Sequence, residues 1–89
     1  MRIPRRTGQF KRDVKLAMRR GKDLLKLQAI LSDLIDEKIL DLRLRDHPLR
    51  GNYTGRRECH IEPDWLLIYK LGPGEIIFER LGTHADLFE

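Results

Sequence analysis

The sequence predicts an α+β fold in which two N-terminal helices pack on one face of a small antiparallel sheet. Two helical periodicities occupy the first 38 residues, and three strand patterns follow residue 55. Helices and strands therefore do not alternate along the chain, which is typical of α+β architectures rather than of parallel α/β folds.

The first helix is expected between Thr7, which can cap it, and Gly21, which can end it. Its apolar side chains recur at the spacing of one helical stripe and should dock on the sheet: Phe10, Val14, Ala17 and Met18. Basic side chains cover the rest of the circumference and should face outward: Lys11, Arg12, Lys15, Arg19 and Lys22.

A second helix is predicted from Asp23 to about Lys38, and Gly21 allows a tight hairpin between the two helices. One face carries large aliphatic side chains: Leu24, Leu27, Leu31, Leu34 and Ile35. Leu25 and Ile30 broaden this face, so we expect the second helix to be more buried than the first.

Residues 41–55 contain Pro48, Gly51, Asn52 and Gly55 and are predicted to form a loop. Three strands should follow, over residues 56–61, 65–71 and 75–81. The second of these is nearly all apolar and is expected to be central. Gly72-Pro73-Gly74-Glu75 has the chemistry of a type II turn, and residues 2–6 can add an edge strand because Pro4 is tolerated only at an edge.

Length and composition limit the class of protein. With 89 residues, 40% of them hydrophobic, the chain is expected to form one domain, residues 1–89, with a thin core. Its single cysteine, Cys59, cannot form an internal disulfide and suggests a reducing compartment. No apolar run approaches the ~18 residues of a membrane span, and the basic N-terminus lacks the apolar stretch of a signal peptide. We therefore expect a cytoplasmic protein with no membrane partner.

Positive charge is concentrated at the N-terminus. Residues 1–22 hold nine basic side chains and one acid, a net charge of +8, whereas the remainder carries −4. Such a segment is typical of a surface that binds a polyanion, although a solvated helix face would have the same composition.

The three histidines, His47, His60 and His84, lie at predicted loops or strand ends, where functional groups tend to be displayed. Together with Asp64 they are eligible zinc ligands, but their spacings of 13 and 24 residues match no compact zinc signature. Imidazole also suits acid–base catalysis on RNA, which supplies its own 2′-hydroxyl nucleophile, with Arg80 available for the phosphate. A third interpretation is that the histidines are incidental and the domain only binds.

The ordered segments of the chain resemble the YafQ branch of the RelE-like toxins of bacterial type II toxin–antitoxin systems. The similarity runs through nearly the whole chain and includes Phe10-Lys11-Arg12-Asp13, Asp46-His47-Pro48-Leu49, the stretch Arg57-Glu58-Cys59-His60-Ile61-Glu62-Pro63-Asp64-Trp65-Leu66-Leu67-Ile68-Tyr69, Arg80-Leu81-Gly82-Thr83-His84, and Leu87-Phe88.

This resemblance implies the RelE-like fold and a ribosome-dependent endoribonuclease that cuts mRNA in the ribosomal A site. The reaction would need no metal or other cofactor and would leave a cyclic phosphate. A ribbon-helix-helix antitoxin would silence the toxin, and the pair would bind operator DNA of its own operon. The family's active-site set corresponds to His47, His60, Asp64, His84 and Phe88, with Arg80 near the phosphate. Glu58 stands where the family often has Asp, so its contact with RNA is the less certain part of the correspondence.

Chemistry suggests roles for these residues. Asp64 is assigned as general base and His84 as general acid, while His47, His60 and Arg80 would steady the phosphate. The alternative makes two histidines the acid–base pair and Asp64 an orienting group. Phe88 is expected to stack on an mRNA base, or else to anchor the C-terminus on the sheet. The remaining RNA contacts are expected from the first helix, to ribosomal RNA: Lys11, Arg12, Lys15 and Arg19.

Two other classes of protein remain open from the sequence. The same superfamily includes toxins that poison gyrase by binding protein, but these generally lack the three placed histidines. A simple RNA-binding module would explain the basic segment and leave the polar groups at the strand ends unexplained.

Overall fold

The computed structural model describes residues 1–88, which form a five-stranded sheet with three helices. The strands are β1 (Ile3–Arg6), β2 (His47–Pro48), β3 (Arg57–Glu62), β4 (Trp65–Gly72) and β5 (Glu75–Gly82), and the helices are α1 (Gly8–Arg19), α2 (Leu24–Ile35) and α3 (His84–Phe88). The strand order is β1-β5-β4-β3-β2. The α+β class and the edge strand are confirmed, but β1 pairs with β5 in parallel, so the sheet is mixed.

The ends of α1 follow the sequence signals. The Thr7 hydroxyl accepts a hydrogen bond from the Phe10 amide and caps the helix. At the other end Gly21 takes a φ of 77°, and the Lys22 amide donates to the Ala17 carbonyl, which is the Schellman arrangement. Met18, expected on the buried stripe, is exposed.

Helix α2 ends three residues earlier than predicted, because the chain turns at Glu37, whose φ is 62°. Leu27, Ile30, Leu31 and Leu34 are buried as expected, whereas Leu25 is exposed. Neither α2 nor any other helix within residues 1–88 has the length and apolar character to cross a membrane.

Strand β4 separates two apolar clusters. Trp65, Leu67 and Tyr69 face the layer of α1 and α2 and belong to the main core. Leu66 and Ile68 point the other way and pack with Leu87 of α3. We call this second side the open face, because only the short α3 and the loop residues Leu49 and Tyr53 cover it.

The sequence did not predict α3, although its start carries a capping box. The Asp86 carboxylate accepts from the Thr83 amide, and the Asp86 amide donates to the Thr83 hydroxyl. Arg20 of α1 also donates to Asp86, at 2.6 Å. These contacts tie the C-terminal segment to the sheet.

Candidate active site

Four residues lie in one row across the sheet. The strand registers pair His47 with Glu58, Glu58 with Ile68, and Ile68 with Arg80. Directly paired residues share a face, and Ile68 belongs to the open face. His60 follows Glu58 by two residues on β3, and its partner is Leu66. Two predicted histidines, Glu58 and the start of Arg80 therefore share the open face.

The loop that carries His47 is held from beneath. Asp46 accepts hydrogen bonds from the Tyr69 hydroxyl at 2.6 Å and from Arg57 Nε at 3.2 Å. Burial, with Asp46 as the second cause, raises the pKa of Tyr69. Arg45 adopts a φ of 50°, a left-handed conformation that is uncommon for a side chain of this size. Its carbonyl lies 2.5 Å from His47 Nδ1. The short strand β2 was expected to be loop and forms because of these anchors.

Glu58 does not lie on the RNA-accessible surface, as the sequence suggested, because its side chain is 6% exposed. Its Oε2 lies 3.0 Å from His47 Nε2 and 3.7 Å from His60 Nε2. Its Oε1 is buried without a hydrogen-bond partner among the described residues. Both His47 nitrogens face acceptors, so these contacts are satisfied when His47 carries both protons. The longer distance to His60 exceeds a hydrogen bond.

His84 begins α3 and is bound to Asp64 of the β3–β4 turn. Asp64 Oδ1 lies 2.8 Å from the His84 amide nitrogen and 2.7 Å from His84 Nδ1. The His84 amide and then its side chain lower the pKa of Asp64. A carboxylate that only accepts keeps the proton on Nδ1 and leaves Nε2 available. Both side chains are more than half exposed, so solvent can reach this pair.

Four rings form a line above the open face. The ring centroids are 6.0 Å apart for His47 and His60, 5.9 Å for His60 and His84, and 6.2 Å for His84 and Phe88. Phe88 also packs edge-on against Tyr53, at 5.5 Å, and is 46% exposed. The five residues that the resemblance grouped are thus brought together: His47, His60, Asp64, His84 and Phe88.

Arg80 reaches the open face because of a β-bulge. Ile68 pairs with Arg80 and Tyr69 with Phe78, so Glu79 is an extra residue in β5. Strict alternation from the buried Phe78 would have turned Arg80 toward the helices. Its Nε donates to Asp13 of α1 at 2.9 Å. This hydrogen bond is the main cause that raises the pKa of Arg80, and Tyr53 adds a smaller contribution.

Among residues 1–88, one cluster has the composition of a metal site. The nearest ligand atoms of His47, Glu58 and His60 all lie within 4.8 Å of one another. Two imidazoles and a carboxylate suit zinc or copper. The compact cluster comes from strand pairing, which the linear spacing of the histidines could not reveal.

A cavity of about 740 Å³ opens beside His60 and His84. Three cations from α2 and the loop before β2 line it: Lys26, Arg43 and Arg45. Sequence reasoning missed these residues, because they are dispersed and only the loop's return brings them together. The predicted cations of α1 lie in the helix layer instead and form no ion pair with other residues of 1–88: Lys11, Arg12, Lys15 and Arg19.

Comparisons with known proteins agree with this geometry. Residues 2–89 match a family model described as a bacterial toxin of type II toxin–antitoxin systems, YafQ. The chain is 49% identical over 83 residues to the mRNA interferase toxin YafQ of Escherichia coli K12, covering 92% of this chain and 90% of that protein.

Two solved structures are similarly close. In the E. coli DinJ–YafQ complex, the matching chain is 47% identical with a TM-score of 0.93, and both chains are covered completely. A metal-bound toxin from Helicobacter pylori is 34% identical with a TM-score of 0.92, covering 99% of this chain and 100% of that one. With its sequence, fold and complete polar site in agreement, the chain belongs to the YafQ family of toxins of bacterial type II toxin–antitoxin systems.

Proposed function

We propose that this chain is an mRNA interferase, an endoribonuclease that cleaves mRNA in the ribosomal A site of the bacterial cytoplasm. The observation that carries the proposal is the line of imidazole rings bordered by two carboxylates, Glu58 and Asp64, on an otherwise apolar face. E. coli YafQ, the mRNA interferase toxin, is 49% identical. Three imidazoles within reach of one phosphodiester suit proton transfer near neutral pH.

The reaction needs a base, an acid and stabilisation of a crowded phosphorus. Attack of the 2′-hydroxyl on the adjacent phosphorus breaks the bond to the 5′-oxygen and leaves a 2′,3′-cyclic phosphate. His84 acts as general acid through Nε2, while Asp64 on Nδ1 stabilises the imidazolium before the proton leaves.

The general base in this proposal is His60. The residues alone favoured Asp64, but Asp64 Oδ1 accepts from two His84 donors, and its pKa is lowered, which weakens it as a base. This favours the alternative in which two histidines transfer protons and Asp64 orients one of them. Glu58 lies closer to His47 than to His60. The carboxylate can therefore neutralise a His47 imidazolium while His60 accepts the hydroxyl proton.

The remaining residues of the site bind the RNA. The His47 imidazolium and the Arg80 guanidinium are suited to the charge that develops on the phosphate oxygens. Phe88, half-exposed beside His84, offers a ring for a base to stack on. The cavity lined by Lys26, Arg43 and Arg45 gives the strand a cationic path to the histidines.

Catalysis in this proposal does not use a metal. The toxin from H. pylori is described as metal-bound, and the His47, Glu58 and His60 cluster of this chain fits a divalent ion. An ion there would occupy the imidazole lone pair that the general base needs. We therefore expect a bound ion to compete with proton transfer.

The proposed partners follow the same logic. The cations of α1 lie away from the histidines and are suited to ribosomal RNA, a polyanion. E. coli YafQ is found in complex with DinJ, and a cognate ribbon-helix-helix antitoxin, with operator DNA bound by the pair, is proposed here by analogy.

A substrate with sulfur in place of the leaving 5′-oxygen tests the mechanism, because a thiolate leaves without a proton. On ribosome-bound mRNA, His84→Ala should slow single-turnover cleavage on the order of 10²–10⁴-fold, and the thio substrate should restore most of that rate. His60→Ala should stay slow on the same substrate. Rescue of His60→Ala alone would reverse the two roles. If the folded wild-type protein fails to cleave mRNA on ribosomes, the chain only binds RNA or protein and the proposal is wrong.

A further inference from the structure

Asp13 is a buried carboxylate that the mechanism above does not use. It lies on α1 and is 6% exposed. Its Oδ1 accepts from Gln9 Nε2 at 2.9 Å, and its Oδ2 accepts from Arg80 Nε at 2.9 Å and from the Leu81 amide at 3.0 Å. Burying a charge is costly unless it is paired, and here the partner is a residue of the proposed site.

The contact is possible because β5 becomes the edge of the sheet before Arg80. Strand β1 pairs only with residues 75–78, and Thr7 then donates to the Glu79 carbonyl. Beyond this point the edge is free, and Asp13 occupies it through the Leu81 amide. The Arg80 side chain can therefore start on the open face and still touch the helix layer.

The remaining guanidinium donors stay on the side of the site. A guanidinium has five N–H donors in one plane, and Asp13 takes the one on Nε. Tyr53 lies near enough to contribute to the raised pKa of Arg80. Tyr53 also packs against Phe88, whose ring neighbours His84. One continuous set of contacts thus runs from Asp13 to the general acid.

We infer that Asp13 is a positioning residue for cleavage: by fixing Nε, it orients the guanidinium plane so that the terminal N–H groups of Arg80 meet the scissile phosphate. The inference rests on the proposed role of Arg80. A neutral acceptor would suffice to satisfy the Leu81 amide. A carboxylate in this position is matched to the guanidinium, whose fork binds such groups with fixed geometry.

The test compares Asp13→Asn in the wild-type protein and in an Arg80→Ala protein, each on ribosome-bound mRNA. In the wild-type background, single-turnover cleavage should slow on the order of 10²-fold, because a misplaced contact of about 1 Å has that effect. Ribosome affinity should not change. In the Arg80→Ala background, Asp13→Asn should add no further loss. Glu79→Gln is the matched control, because it weakens the half-buried Arg56 ion pair on the same strand and should leave the rate unchanged.

Several outcomes would overturn the inference. Equal losses in both backgrounds would mean that Asp13 supports the fold alone, and a loss of equal size in Glu79→Gln would point to the same conclusion. Full activity of Asp13→Asn beside a slow Arg80→Ala would remove the role of Asp13 while leaving the proposed function intact. Full activity of Arg80→Ala would contradict the role of Arg80 and this inference together. If Asp13→Asn does not fold, Asp13→Glu, which keeps the charge and shifts the carboxylate, carries the same two-background comparison.

Discussion

Replacing Glu58 by methionine is expected to stabilise the fold while slowing mRNA cleavage. Methionine is unbranched and of similar length, and it would occupy a buried position beside Ile68. The carboxylate that it replaces has one oxygen within 3.0 Å of His47 and one oxygen without a partner among the described residues. Such a group is retained in spite of its effect on stability when the reaction needs it.

Two opposing contributions set the change in the free energy of unfolding. Losing the charge-assisted contact with His47 costs about 1 kcal/mol, because the His47 side chain is 45% exposed and solvent weakens the pair. Removing the unpartnered buried oxygen recovers about 1–3 kcal/mol. The net stabilisation is about 1 kcal/mol, which raises the Tm of a domain of this size by roughly 4–8 °C.

The assay pairs thermal unfolding with single-turnover cleavage. Glu58→Met should unfold at a higher temperature and cleave on the order of 10²-fold more slowly, since His47 and His60 lose the group that holds them. Glu79→Met is the control: its carboxylate is satisfied by Arg56, so its loss should lower the Tm. A fall in Tm for Glu58→Met as large as for Glu79→Met would refute the reasoning and make Glu58 a structural residue.

Three further predictions concern metal, ribosome binding and pH. Cleavage should survive dialysis of the toxin against chelator with only the magnesium that the ribosome needs restored; an inactive metal-free protein that zinc reactivates would contradict this. Neutralising Arg12, Lys15 and Arg19 should weaken ribosome binding and reduce its salt dependence by roughly 0.7 log units per lost phosphate contact on a single strand, and unchanged affinity would make α1 a solvated face. Arg20, with the Thr83 amide, lowers the pKa of Asp86 to about 2, so the stability it contributes should be complete above the usual Asp range and decline as the pH falls toward 2. Unfolding measured from pH 2 to 6 should show a shallower acid decline in Asp86→Asn, and an identical decline would mean that Asp86 contributes nothing.

Local signals in the sequence were sufficient for most of the fold. The strands were predicted to within one residue at each end, and Thr7 and Asp23 cap the two helices. Cys59 was expected to be a small core residue and is fully buried, which raises the pKa of its thiol to about 12. Caps, turns and period-two runs are encoded by neighbours in sequence, so one chain suffices to find them.

Features that depend on distant partners could not be predicted. Asp13 looked like an exception in a basic helix, but its partner lies 67 residues away, and nothing local indicates that it is buried. The parallel pairing of β1 with β5 depends on a strand more than 70 residues later. Helix α3 is the different case: the pattern Thr83-His84-Ala85-Asp86 is a capping box, and reading it would have predicted the helix.

The site itself departs from regular structure at three points, and each departure has a chemical consequence. Arg45 takes a left-handed backbone conformation, and its carbonyl then meets His47. An extra residue at Glu79 turns Arg80 from the core to the open face. Glu58 is buried with an unsatisfied oxygen beside two imidazoles. Each carries a cost in free energy, and the neighbouring strand β4, apolar on both faces, supplies the packing that offsets it. Because propensity and periodicity describe the regular scaffold, they locate that strand and fail at the irregular positions around it. Chemistry of the side chains, rather than periodicity, is what pointed to the site.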